Sequence, residues 1–224
     1  MKPITFFIRY ALLITLLSTH TAQAATEKIG VLVFPGFLTS DVTAPLEVFG
    51  AASRKAWFSS YEVILVSATR EHKITSEEGL QVVANNTIYD DLQLDVLILP
   101  SAYEMDDYIS NTELIRFITT QGRTASWMAS NCSGAFLLAE AGLLDGKKAT
   151  TWAGGEKSLA RAYPKVDVQY DQNIVVDNRV ITSNGGPVSY QSAFALLAKL
   201  SSETFAEEIS QAIQFDRLAR AFPR

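Results

Sequence analysis

Thr124-Ala125-Ser126-Trp127-Met128-Ala129-Ser130-Asn131-Cys132-Ser133-Gly134-Ala135-Phe136-Leu137-Leu138-Ala139-Glu140 reads as a strand over 124–129, a turn of small residues, and a helix over 133–141. Cys132 is the single cysteine of the chain, with Ser130 two residues before it and Gly134 two after. This is the spacing of a nucleophile elbow. Small residues are needed at those offsets because the turn brings strand and helix backbones together, while the nucleophile projects outward from strained dihedrals. The amides that open the helix then point toward the sulfur and favour thiolate over thiol. The same residues also suit a buried cysteine that acts as a small hydrophobe in a common Ser/Gly-rich turn. Read locally, the thiol is either packing or chemistry.

Outward from the elbow, short β-branched apolar runs alternate with longer amphipathic ones. That alternation marks strand-helix-strand units around a mainly parallel sheet, an α/β fold. Residues 28–34, 62–67, 95–99 and 124–129 are apolar on both faces and read as buried central strands. Residues 80–84 are expected at an edge, and 173–176 with 179–182 form a hairpin closed by Asp177-Asn178. Helices are expected over 45–56, 111–121, 133–141, 154–162, 187–200 and 203–214. Pro45, Asn111 with Glu113, and Pro187 after Gly185-Gly186 mark three of their starts.

The amino terminus carries Lys2 and Arg9 ahead of an apolar run, 10–17, that is too short to span a bilayer. Polar residues and then Ala22-Gln23-Ala24 follow, so 1–24 reads as a secretory signal peptide cleaved after Ala24. The expected mature chain is a single domain over 25–224, periplasmic or secreted, with no stable membrane insertion after cleavage. No internal repeat or Pro/Ser-rich linker divides it. Removing Lys2 and Arg9 from the 19 basic residues, with all 24 acidic ones kept, leaves a net charge of −7. That sign argues against nucleic acid and anionic membrane as partners. One cysteine excludes an intramolecular disulfide, so the fold rests on its core, and 48% apolar composition supplies one.

In an open α/β sheet, ligands bind beyond the carboxyl ends of the strands. The loops that matter are therefore 35–44, 68–79, 100–110, 130–134 and 183–186. Outside the leader the only histidine is His72, in the charged loop Arg70-Glu71-His72-Lys73, which reads as solvated. A tetrahedral metal site and a Cys-His pair are both poorly supplied, so a reactive Cys132 would take a carboxylate as proton partner. The first loop offers Asp41 and Glu47. On local geometry alone, Asp41 before a helix is a cap.

The stretch 29–49, the block Ser130-Asn131-Cys132-Ser133-Gly134-Ala135, and the later run Ala141-Gly142-Leu143-Leu144-Asp145-Gly146-Lys147-Lys148-Ala149-Thr150-Thr151 resemble the ThiJ/PfpI family of the class I glutamine amidotransferase-like superfamily. Within it, the likeness is to isonitrile hydratases and to the ligand-sensing domains of AraC-type regulators. The resemblance spans nearly the whole mature chain. It implies a flavodoxin-like three-layer sandwich, a homodimer, and an acid from the first loop hydrogen-bonded to the elbow sulfur. That acid falls on Asp41. Departures are Ser101-Ala102 where relatives often have Gly-Gly, Trp152 where they often have His, and Ser133 where isonitrile hydratases often have Thr.

The resulting expectation is a cysteine-dependent hydratase, a lyase, in which Cys132 attacks a small electrophile and Asp41 shuttles the proton. Ser133 and Gly134 support the elbow. Phe37, Ser101, Ala102, Trp152 and Gly185 line the pocket, with Phe37 and Trp152 as its apolar wall. No metal or organic cofactor is required. The alternative is a non-catalytic periplasmic sensor or a redox or stress-response protein that uses the same pocket. A DNA-bound regulator fits less well, because no residues follow Arg224 to form a helix-turn-helix.

Overall fold

The computed structural model describes residues 26–56 and 60–218. The expected signal peptide, its cleavage site and Ala25 lie outside the described residues. In chain order the elements are β1 (Thr26–Val33), α1 (Thr39–Lys55), β2 (Ser60–Ser67), β3 (Lys73–Thr75), β4 (Gln81–Val83), β5 (Asn86–Thr87) and β6 (Val96–Leu99). They continue as α2 (Asp106–Ile109), α3 (Thr112–Thr124), β7 (Trp127–Asn131), α4 (Gly134–Glu140), β8 (Lys148–Ala149), α5 (Glu156–Ala162) and β9 (Asp167–Val168). The last are β10 (Ile174–Asp177), β11 (Val180–Ser183), α6 (Val188–Leu200) and α7 (Glu203–Ala212).

A seven-stranded sheet runs in the order β10-β11-β7-β6-β1-β2-β5. Every neighbouring pair is parallel except the β10–β11 hairpin. Counting only the principal parallel strands β1, β2, β6, β7 and β11, the order is the 2-1-3-4-5 arrangement of flavodoxin-like sheets. Helices α1, α6 and α7 pack together on one face, and α2, α3 and α4 on the other. The central strands are buried because both faces are covered, which is why β6 is apolar at all four positions. Ile29, Leu32, Leu97, Leu99, Met128 and Leu137 are among the fully buried side chains that fill the layers.

Between β1 and β6 the chain leaves the sheet in opposite directions, to α1 on one face and toward α2 and α3 on the other. The carboxyl ends of β1, β6, β7 and β11 therefore open around one crevice.

Most boundaries shift by one to three residues from the sequence expectation, and four of the differences have a plain physical reason. The strand expected over 124–129 begins at Trp127 and runs to Asn131, because α3 keeps its amphipathic period through Thr124 and Asn131 still pairs with Ser183 of β11. Residues 81–83 pair with β3 in a separate two-stranded ribbon, and β5 forms the sheet edge instead. Helix α1 begins at Thr39, so Pro45 lies inside it rather than at its first turn. The hairpin turn is Asn178-Arg179, one residue later than expected, with Asn178 at φ 55° supplying the left-handed position. The Asn111 start holds as expected, since its side chain accepts from the amides of Glu113 and Leu114.

Candidate active site

Cys132 occupies the turn between β7 and α4 at φ 49°, a positive value that a non-glycine residue adopts only when its surroundings enforce it. Those surroundings are visible. The Cys132 amide donates to Ser183 O at 2.9 Å, and its carbonyl accepts from Thr151 Oγ1 at 2.8 Å. Gly134 is needed for close approach, because a methyl group there would lie 2.5 Å from Leu99 O and 2.8 Å from Pro100 O. The elbow is thus pressed onto the end of β6, and its conformation comes from packing.

Asp41 sits in the first turn of α1 but caps nothing. Leu38 is the capping position and makes no side-chain cap bond, whereas the Asp41 carboxylate turns inward and is fully buried. Its Oδ2 accepts from the Ser101 amide at 3.1 Å and the Ser101 hydroxyl at 2.5 Å. Its Oδ1 accepts from the Gly186 amide at 2.9 Å and the Ser189 hydroxyl at 2.8 Å. The local sequence favoured a cap; the tertiary structure makes Asp41 the hub joining the loops after β6 and β11. Glu47, the competing acid, accepts from Tyr190 Oη at the edge of the fold.

Asp41 and Cys132 meet across Gly185. A methyl group on that residue, already at φ 76°, would fall 2.4 Å from Cys132 Cβ and 3.0 Å from Asp41 Oδ1. Burial raises the Asp41 carboxyl above its ordinary 3.8, against the lowering effect of hydrogen bonds from Ser101, Ser189 and Gly186. Burial and then the Asp41 charge raise the Cys132 thiol above its ordinary 9.0, while the Ser101 hydroxyl and the Ser133 amide and hydroxyl act to lower it. The thiol therefore titrates above its ordinary value rather than below it, because desolvation together with the Asp41 charge outweighs the Ser101 and Ser133 donors. The direct hydrogen bond from acid to sulfur that the resemblance implied is also replaced. Both carboxylate oxygens already hold two donors each, and none of these is the thiol.

The half-buried sulfur opens into a cavity of about 330 Å³ lined by Leu38, Ala102, Tyr103, Cys132, Ser133 and Trp152. Trp152 stacks on Phe136 with ring centroids 5.4 Å apart, which fixes one wall. Phe37, expected on that wall, is buried in the core; its neighbour Leu38 and the exposed Tyr103 take the place. Ser101 and Gly185 lie behind the sulfur with Asp41 rather than on the cavity surface. The lining residues carry no formal charge.

A model of the DJ-1/PfpI family matches residues 27–199. The chain belongs to the DJ-1/PfpI family. Isonitrile hydratase of Pseudomonas putida is 30% identical over 188 residues, covering 84% of this chain and 76% of that protein. The HTH-type transcriptional regulator CdhR of Pseudomonas aeruginosa is 24% identical over 187 residues, of which this chain covers 54% of the regulator's length. A ThiJ/PfpI family protein of Pseudomonas syringae superposes with a TM-score of 0.76 at 26% identity, covering 87% of this chain and 77% of that one. The family thus joins enzymes and regulators on one fold, and the chemistry of this member has to be read from its own site.

The site also contains residues that the sequence did not single out. Asn131 donates from Nδ2 to Asp41 O at 3.1 Å and accepts from Ser183 Oγ at 2.7 Å. Pro45 explains the first bond. It has no amide to offer the carbonyl four residues back, so Asp41 O lacks its helical donor and takes one from the elbow. The proline was the available signal. Ser189, Gly186 and Thr151 gave none, because their partners lie far away in the chain.

Proposed function

We propose that this protein is an exported cysteine hydratase that adds water to small, uncharged isonitriles. The observation that carries the reading is a cysteine on an enforced elbow, coupled to a fully buried acid and opening into a mainly apolar pocket. An isonitrile is small, neutral and electrophilic at its terminal carbon, so such walls suit it and a charged substrate would find no counter-ion there.

In the proposed reaction the Cys132 sulfur bonds to the isonitrile carbon and the thiol proton, held meanwhile by Asp41, is delivered to that carbon. The product is a thioformimidate, R–N=CH–S–Cys132. Water then adds to the carbon and a proton moves to nitrogen. Cleavage of the C–S bond with return of a proton to the Cys132–Asp41 pair releases the formamide R–NH–CHO. In the thiol-addition step the negative charge develops on carbon and is quenched by a proton, so that step requires no amide pocket for an oxyanion. The loop after β6 suits this chemistry. Its Ser101 amide faces Asp41 and its Ala102 amide faces Met105 Sδ at 3.2 Å, so neither serves the cavity.

Export is supported by the leader features of 1–24. A homodimer is supported by family membership. The test of function is formamide production from an aliphatic isonitrile by the purified chain, with Cys132→Ala as control. Turnover that requires Cys132 upholds the reading. A second reading, ligand capture without turnover, is favoured by the likeness to CdhR; saturable binding of the isonitrile with no formamide would support it in place of the enzyme.

A further inference from the structure

The cavity over Cys132 has walls that are held in place and one that is not. Trp152 is held most firmly. Its ring stacks on Phe136, and a methyl group on Gly155 would lie 2.1 Å from it, so the backbone of that glycine also lies against the indole. The preceding residue is tied on both sides: Thr151 Oγ1 donates to Cys132 O, and Thr151 O accepts from Asn184 Nδ2. Leu38 is anchored through its amide, which donates to Ser101 O at 2.9 Å. Ala102 and Ser133 hold each other, since Ser133 Oγ donates to Ala102 O at 3.0 Å.

Tyr103 is the exception. The loop on either side of it is fixed, with Ser101 bonded to Asp41 and the Ala102 amide bonded to the sulfur of buried Met105. Neither Tyr103 nor Glu104 makes a hydrogen bond among the described residues, and the Tyr103 ring has no ring partner there. At 74% exposure, Tyr103 is the most open of the large apolar side chains described. An aromatic ring at the rim of an apolar cavity, on two residues without backbone bonds, is free to turn onto whatever the cavity holds.

We propose that Tyr103 determines specificity: its ring closes over the substituent of the electrophile that Cys132 attacks, and the site thereby selects aryl isonitriles. The inference rests on the hydratase reading for the reacting group and adds the substituent. At about 330 Å³ the cavity lies at the small end of ligand sites. The carbon and nitrogen of an isonitrile fill little of it, and the rest is room for one ring. The lining residues carry no formal charge, so that ring has to be uncharged. Alkyl and aryl substituents both gain from leaving water, but only an aryl group adds a ring-to-ring contact with Tyr103.

Alkylation of Cys132 in the intact protein tests this without an isonitrile. Iodoacetamide and iodoacetanilide share one reacting carbon and differ by an N-phenyl group. Each rate is divided by that of the same reagent with 2-mercaptoethanol at the same pH, and the ratio of the two then reads recognition of the phenyl group, because thiol reactivity cancels. The wild type should favour iodoacetanilide. Tyr103→Ala should lower the ratio about fivefold. Tyr103→Phe should keep it, and Tyr103→Leu should fall between. Since Tyr103 is exposed, these substitutions leave the core intact.

A ratio that is unchanged or raised in Tyr103→Ala, lost in Tyr103→Phe, or fully kept in Tyr103→Leu overturns the proposal. So does a sulfur that neither reagent reaches. Where formamide forms, KM in Tyr103→Ala should rise more for phenyl isonitrile than for methyl isonitrile. Absence of formamide with a ratio that follows the Tyr103 ring sinks the hydratase and leaves the selecting wall. Formamide production with a ratio indifferent to Tyr103 does the reverse.

Discussion

Asp41 accepts one fixed backbone amide on each oxygen, from Ser101 on Oδ2 and Gly186 on Oδ1. This arrangement makes an apparently conservative change severe. In Asp41→Asn, whichever way the amide is placed, its NH2 group faces a backbone N–H that cannot turn away. The conflict should cost about 2 kcal/mol, the usual penalty for a buried donor without an acceptor. For a domain of this size it should lower the thermal midpoint by roughly 4–8 °C in a calorimetric scan. Loss of formamide production should accompany it. Cys132 gives a second prediction, with its sign fixed by burial. The folded thiol titrates above its ordinary 9.0, so it binds a proton that the unfolded chain has already released. Stability from this residue is fully present below pH 9 and is lost as pH rises through the raised value. Urea midpoints at pH 8 and pH 10 should therefore fall further for the wild type than for Cys132→Ala. Equal falls would mean that the sulfur is not held protonated by its surroundings.

The same logic at the scale of elements links α1 to β7. Pro45 interrupts the helix ladder one turn after Asp41, and Asn131 fills the vacancy from the residue before Cys132. The site is assembled by a defect in one element that another repairs. Asn131→Ala should cost about 1–2 kcal/mol in the natural background, where Asp41 O and the Ser183 hydroxyl lose their partner. Restoring an amide in the helix with Pro45→Ala should reduce that cost. The predicted coupling in the double-mutant cycle is about 1 kcal/mol, measured by denaturant unfolding. Strict additivity would show that Asn131 does not serve the carbonyl that Pro45 leaves open. Pattern reading placed the helix too late here because it took the proline as a start signal. The inward turn of Asp41 requires that the helix begin before it.

For the whole molecule, the remaining prediction concerns its compartment. The charged start, short apolar run and Ala22-Gln23-Ala24 predict that the exported protein begins at Ala25 by intact mass. Recovery of an uncleaved cytoplasmic chain would overturn it. The α/β class, the central strands and the elbow at Cys132 were legible along the chain, because hydrophobic period and small residues at fixed offsets act over a few neighbouring positions. The likeness of three ordered blocks carried the family and Asp41. Sequence could not show that Asp41 would be shielded from its own helix end, or that Ser101, Gly186 and Ser189 would converge on it from positions 60, 145 and 148 residues away. Nor could it place Phe37 in the core and Leu38 on the cavity, since loop residues lack the periodicity that assigns faces. Local pattern determined the central strands, most of the helices and the turn at Cys132. The raised titration of Cys132, the partners of Asp41 and the walls of the cavity were decided only by tertiary structure, because burial and donor placement depend on groups that the fold alone brings together.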